Sequence, residues 1–316
     1  MKVACEKDLR PGEITRFINR ISHATFFHTP TWMEALTASF SHFRPCWVTS
    51  REGTDLVGIM PCIEISRGPF ISLWSLPFGT YGNPLARDPA IYDAILTAFF
   101  DRVRSRSCLE GCAYLFDATG DRKLPADVDV TNRECRIVRL EGTFEDYWST
   151  KISKKRRQGC NRAEKAGIEV RVLLDDKEVE EFYRIYRLGS KGWGGVHPYP
   201  FRLFMELFRR RDEGVLILGG FKEGKLLGGH INLYFGGMAH GWQAGVSAAS
   251  HQYDLGSLLV IHAVKEAFRR GMQVYNLGSS GPHSGLLFFK ESLGGEEYNY
   301  LAASVRKRWW GWLRRR

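Results

Sequence analysis

One spacing recurs in this chain. Pro30-Thr-Trp-Met-Glu-Ala-Leu36 opens an apolar helical stretch behind a proline, and Pro200-Phe-Arg-Leu-Phe-Met-Glu-Leu207 does the same 170 residues later. Val48-Thr-Ser-Arg-Glu-Gly-Thr-Asp-Leu-Val-Gly58 reads strand, turn, strand. So does Leu218-Gly-Gly-Phe-Lys-Glu-Gly-Lys-Leu-Leu-Gly228, again at an offset of 170 from Gly58 to Gly228. Two landmarks of different kinds at one offset predict an internal duplication. Duplication constrains the fold strongly, because each copy must close its own sheet and core. A groove between two copies is also a natural place for a ligand.

Length and composition agree with two cored domains. The chain has 316 residues, 44% hydrophobic and 25% charged, as in ordinary globular proteins. No run of 18 apolar residues occurs, and residues 1–8 turn polar at once, unlike a signal peptide. The seven cysteines (Cys5, Cys46, Cys62, Cys108, Cys112, Cys135, Cys160) are scattered without a Cys-x-x-Cys pair. They predict reduced, mostly buried thiols in a cytoplasmic protein, and no metal site.

Periodicity is clearest in the second copy. Thr143-Phe-Glu-Asp146 has the form of a capping box and opens a helix that Gly167 would end. Residues 168–172 alternate as a half-buried strand. Helices are expected over 177–188 and 200–211, separated by a glycine-rich loop that carries Trp193 and His197. Strands are expected over 215–221, 226–235 and 238–244, then a helix over 254–270 with Asp254 as its N-cap. A strand at 273–277, a helix at 284–293 and a strand at 296–304 complete the unit. The order β-α-α-β-β-β-α-β-α-β predicts an α/β fold with a mixed sheet covered by helices. The first half fits a frayed version: helices near Glu13 and Trp32, strands near Trp47, Val57 and Ile71, a helix from Pro89, and a strand at 113–116.

Several motifs fail on inspection. Gly219-Gly-Phe-Lys-Glu-Gly-Lys225 approaches a phosphate loop, but Leu226 stands where Ser or Thr must meet magnesium, and the segment lies in a hairpin. No His-Glu-x-x-His, Gly-x-Ser-x-Gly or dinucleotide fingerprint occurs.

The element order resembles the GNAT acyltransferase fold, and its tandem use resembles the FemAB-like aminoacyltransferases. Phe27-His-Thr-Pro-Thr-Trp32 is similar to that family's aromatic-x-x-Pro-x-Trp opening. Residues 148–167 are similar to its basic helix. Tyr275-Asn-Leu-Gly278 is similar to its Tyr-Asp-x-Gly strand end, with Asn276 in place of aspartate. Phe289-Lys-Glu-Ser-Leu-Gly294 is similar to its Phe-Lys-x-x-hydrophobic-Gly motif. The resemblance implies two tandem GNAT-like domains, over 1–142 and 143–305, followed by a basic tail at 306–316. It further implies N-acyl transfer from aminoacyl-tRNA or acyl-CoA to an amine, with no tightly bound cofactor. The acceptor would belong to the cell envelope, a peptidoglycan precursor or a polysaccharide. A binding protein for tRNA or anionic envelope precursors that kept the fold is the alternative from another class.

An amine attacking an activated carbonyl needs a cation for the developing oxyanion, and Lys290 is the candidate. Trp193, Trp242, Gln243 and Asn276 are placed along the expected cleft. In GNAT enzymes the loop before the 254–270 helix holds the CoA pyrophosphate on bare amides. The matching positions here are His251, Asp254 and Gly256, where the Asp254 carboxylate would repel a phosphate; Gly256 and Ser257 are the expected donor-binding residues of that turn.

The net charge is +10, and basic residues cluster: seven within 151–165 and six within 306–316. Lys154, Lys155, Arg156 and Arg157, with Arg162, are expected to meet a phosphate-bearing substrate, a lipid-linked acceptor or tRNA. The tail interleaves Trp309, Trp310 and Trp312 with cations. That suits contact with an anionic membrane from the cytoplasmic side.

Overall fold

Both expected modules form sheets, and their strands follow one order. The structure, a computed structural model, describes residues 2–116, 124–190 and 198–307. The first half holds β1 (Lys2–Glu6), α1 (Pro11–Ile18), α2 (Pro30–Ser39), β2 (Phe43–Glu52) and β3 (Asp55–Arg67). It continues with β4 (Phe70–Trp74), the short β5 (Leu85–Ala86), α3 (Pro89–Arg104) and β6 (Cys108–Leu115). Next come β7 (Asp129–Arg139), α4 (Phe144–Thr150), α5 (Lys154–Lys165), β8 (Ile168–Val172), α6 (Asp176–Ser190) and α7 (Phe201–Arg209). The chain then forms β9 (Val215–Lys222), β10 (Lys225–Phe235), β11 (Met238–Val246), α8 (Leu255–Arg269), β12 (Val274–Gly278), α9 (Ser284–Glu291) and β13 (Glu296–Arg306).

The chain divides into two compact units, Met1–Arg133 with Asn299–Arg316, and Glu134–Tyr298. In the first the strands run β1-β2-β3-β4-β6-β13, and in the second β8-β9-β10-β11-β12-β7. Position by position these are the same sheet: three antiparallel hairpin-type neighbours, one parallel pair (β4 with β6, β11 with β12), and a final antiparallel strand. The duplication is therefore topological as well as sequential.

The division differs from the expected cut after residue 142. β7 pairs with β12 (Val274 opposite Arg139), so its end belongs to the second unit. β13 pairs with β6 (Leu301 opposite Leu115), so residues from Asn299 onward belong to the first. Each sheet is closed by a strand distant in sequence, and local periodicity carries no information about that pairing.

Each unit has a core beneath its crossover helix. On α3 the residues Ile91, Ile95, Phe99 and Val103, with Tyr92, Leu96 and Phe100, recur at three- and four-residue spacing. They pack against Val48, Met60, Leu73 and Ala113. On α8, Leu255, Leu258, Leu259, Ile261 and Val264 cover Leu218, Tyr234, Ala239 and Tyr275. Asp88 caps α3 by accepting from the Ile91 amide at 3.0 Å, and Pro89 fills the first helical position.

The single helix expected over 143–167 is two helices. The Thr143/Asp146 capping box is present and starts α4. The chain breaks at Ile152, which is buried, and Ser153 restarts it by accepting from the Arg156 amide. The Ser153 amide meanwhile donates to the Ser292 carbonyl at 3.0 Å, a tertiary bond that a continuous helix would forgo. The strands β1 and β7 were not expected. Both owe their strand conformation to a partner, β2 for β1 and β12 for β7.

Candidate active site

The site is built in the second unit where β11 and β12 part. β11 and β12 run parallel and pair only over Met238–His240 with Val274–Asn276. Beyond that, β11 continues beside β10, while β12 ends at Gly278. At the parting point β11 bulges: Ile231 faces Gln243 and Asn232 faces Gly241, leaving Trp242 as the extra residue. Trp242 stacks on Tyr199, centroids 5.0 Å apart and planes at 24°. Gln243, next along, is half-buried. Gly241 is required here, since a Cβ would lie 2.7 Å from the Tyr275 hydroxyl and 2.9 Å from His230 Nε2.

Those neighbours form a buried polar group under the bulge. Tyr275 donates to Asn232 Oδ1 at 2.5 Å, and the Asn232 amide donates to the His230 carbonyl at 3.1 Å. His230 is buried, and its Nδ1 has no hydrogen-bond partner among the described residues. Burial pushes its pKa down to about 4, so the imidazole is neutral near pH 7.

The end of β12 is gripped from two sides. Asn276 is buried, and its Oδ1 accepts from the Gly278 amide at 2.7 Å. Lys290 reaches in from α9 and donates to the carbonyls of Gly278 at 2.9 Å and Ser279 at 2.7 Å. Lys290 is the buried side chain of a helix that leaves Leu286 and Phe288 exposed. Burial, with a smaller push from the Arg136 charge, lowers its pKa to about 8.

α8 begins beside this turn in an unusual way. Asp254 occupies the N-cap position with φ of 52°, in the left-handed region, and makes no side-chain cap bond. Sequence reasoning expected a conventional cap. Instead the carboxylate accepts from Arg156 Nη1 at 2.9 and 3.1 Å and from the Ser257 hydroxyl at 2.9 Å. Arg156 also donates to Ser292 Oγ at 2.9 Å and lies over the Phe289 ring, 4.9 Å from its centroid. α5 approaches so closely that a Cβ at Gly159 would sit 2.5 Å from Asp254 Oδ2. Ser257 is fully buried with its hydroxyl turned to Asp254, and Gly256 lies in the same first turn near Phe289.

The basic helix is thus not one surface. Arg156 holds Asp254. Arg157 donates to the Trp148 and Ser149 carbonyls and so closes the end of α4. Lys154, Lys155 and Arg162 are exposed, and none forms a salt bridge among the described residues. Trp193 and His197 lie outside the described residues, as do residues 308–316 of the tail. Among the described residues, no group of three His, Cys, Asp or Glu could hold a metal ion, and no helix is long and apolar enough to cross a membrane.

Sequence reasoning passed over His230, Asn232 and Tyr199. A signal for the first two existed: in Leu226–Phe235 a histidine and an asparagine stand two apart in an otherwise apolar strand, hence on one face.

Residues 150–298 match the family described as acetyltransferase (GNAT) domain. No curated protein matches the chain in sequence. Among solved structures, the chain is similar to FemX at 10% identity, with 99% of each chain covered and a TM-score of 0.72. It is similar to the C-terminal domain of a putative lysylphosphatidylglycerol synthetase from Agrobacterium fabrum at 12% identity. That match covers 94% of this chain and 91% of the other, with a TM-score of 0.59. It is also similar to a tandem GNAT protein from the clavulanic acid biosynthesis pathway at 12% identity, covering 96% and 98%, with a TM-score of 0.56. These likenesses establish a shared fold of two GNAT-like domains.

Proposed function

We propose that this chain, an acyltransferase whose residues 150–298 are an acetyltransferase (GNAT) domain, moves an aminoacyl or acyl group onto an amine of a cell-envelope, peptidoglycan-precursor or polysaccharide acceptor. The observation that carries this reading is the buried Lys290 ammonium beside the parted strands β11 and β12. An ammonium has three donors. The Gly278 and Ser279 carbonyls take two, which fixes the cation in place and leaves one N–H for a developing oxyanion. The acceptor nitrogen attacks the donor carbonyl, and a C–N bond forms as the carbonyl oxygen gains charge. Collapse breaks the bond to the leaving group, which takes up the proton that the amine loses. Trp242, Gln243 and Tyr199 border the opening and orient the reactants.

The envelope acceptor draws support from the names of the structural neighbours, FemX and a synthetase of a lysylated phospholipid. It also draws support from the surface: α9 turns Leu286 and Phe288 outward, and the α5 start that packs on it carries exposed Lys154 and Lys155. A lipid-linked or phosphate-bearing acceptor matches that combination. The tail beyond Val305 would add contact with anionic lipid. Sedimentation with anionic vesicles tests this, and equal binding by a chain ending at Val305 would refute it.

Aminoacyl-tRNA is the favoured donor, because the α8 start is occupied by Asp254 and Ser257 rather than open to a pyrophosphate. One observation favours acyl-CoA instead: Arg156 neutralises Asp254, so a phosphate there meets no net negative charge. Aminoacyl-tRNAs and acyl-CoAs offered in parallel to candidate amines, with amide formation followed, decide between them. Amide from neither donor would sink the reading as a whole.

A further inference from the structure

The first unit carries three thiols in a row across its edge. Cys46 and Cys62 stand directly opposite one another on β2 and β3. Cys5, on the edge strand β1, pairs with Val48, two residues from Cys46 and therefore on the same face. Cys46 and Cys62 are fully buried, whereas Cys5 is exposed. Lys7, two residues on from Cys5, and Arg102 of α3 both reach Glu64, at 3.2 and 3.0 Å. Two cations share one carboxylate, so the surroundings of the thiols are net positive.

We propose that Cys5 and Cys46 form a peroxide-responsive thiol pair, with Cys5 as the attacking thiolate and Cys46 as the resolving thiol. This site is independent of acyl transfer. The Cys5 thiolate attacks a hydroperoxide: an S–O bond forms, the O–O bond breaks, and the released alkoxide or hydroxide takes a proton. The Cys46 sulfur then displaces hydroxide from the Cys5 sulfenic acid, giving a disulfide and water. Two thiols lose two electrons and the peroxide gains them.

The site chemistry separates the thiols. Cys5 is lowered to about 7, chiefly by the hydrogen bond from Cys46 and then by the Arg102 and Lys7 charges, against burial and Glu64. Cys46, as the donor, is pushed up, and burial pushes up Cys62, Cys108, Cys112 and Cys160. A thiolate that is accessible, cation-flanked and next to a second thiol is the arrangement peroxide selects.

The test uses the full reduced chain and mass spectrometry. Alkylation of Cys5 should titrate with a midpoint near 7, and at neutral pH it should run about 10-fold or more faster than at the buried cysteines. One equivalent of hydrogen peroxide should join the peptides holding Cys5 and Cys46. Cys46→Ser should abolish the bridge and let dimedone trap the Cys5 sulfenic acid, while Cys62→Ser should leave the bridge intact. If Cys46→Ser does not fold, the exposed Cys5→Ser should still remove both bridge and peroxide reactivity. An alkylation midpoint at the ordinary thiol value, a Cys46–Cys62 bridge, or direct passage of Cys5 to sulfinic acid would overturn the proposal.

Discussion

The two crossover helices, α3 in the first unit and α8 in the second, make the same connection between parallel strands and begin in opposite ways. α3 starts with a closed cap, Asp88 on the Ile91 amide behind Pro89. α8 starts at a strained Asp254 whose carboxylate is held by Arg156 and Ser257. The strands they join differ likewise. β4 pairs with β6 over four of its five residues, whereas β11, nine residues long, pairs with β12 over three. In the first unit the parallel pair runs almost the full length of β4, whereas in the second β11 runs well past its pairing with β12. The family match falls on the second unit. The two copies thus share a topology and differ in how the parallel strands pair and how the crossover helix begins.

The largest expected effect would break this contrast outright. Lys290→Met should lower kcat by ~10²-fold or more, the size expected for losing an oxyanion donor. It should also cost about 1–3 kcal/mol of stability, because two carbonyls lose their donor. Steady-state kinetics beside thermal melts separate the two. A destabilised but fully active variant would make the lysine a strand clamp only.

The next effect is a pH dependence that both units share. His28 is buried, with ring nitrogens bonded to Asn83 and Thr25, and burial lowers its pKa to about 4, as for His230. The unfolded chain, with histidines near 6.5, therefore binds protons first as the pH falls. The stability is fully present above 6.5 and is lost between 6.5 and 4, on the order of 3 kcal/mol for each histidine. Denaturant melts at pH 7 and 5 should show the loss, and His28→Gln should flatten it. An unchanged slope in that variant would show that another group titrates.

A smaller effect tests the helix starts directly. Asp88→Ala should cost about 1 kcal/mol, as for an ordinary N-cap. Asp254→Asn should cost no more than that and should instead raise the KM for the donor, because Arg156 loses its anchor. If Asp254→Asn changes only the melting temperature, the two starts differ in geometry and not in use.

The smallest effect lies on the exposed lysines. Lys154→Gln with Lys155→Gln should leave stability within about 0.5 kcal/mol. The same pair of changes should reduce the salt dependence of the acceptor or tRNA KM. A KM indifferent to salt in the parent chain would leave these residues a solvated face.

Much of the architecture is present in local sequence, for a physical reason. Helix and hairpin periodicities, the Thr143/Asp146 capping box and the proline-led helices are near-neighbour effects, so the 170-residue offset and the order of elements could be read directly. Of the positions that the sequence singled out, Lys290, Trp242, Gln243 and Asn276 lie on or against the ends of β11 and β12. Their partners were not legible, because Lys290 meets carbonyls 11 and 12 residues away and Arg156 meets a carboxylate 98 residues away. The sequence by itself determined the two modules, their elements and the charge they carry. Tertiary structure alone decided which distant strand closes each sheet, why the 143–167 helix breaks at Ile152, and which cations are tied down. Those outcomes depend on pairings across the fold, whose free energy is gained only after the chain has brought remote residues together.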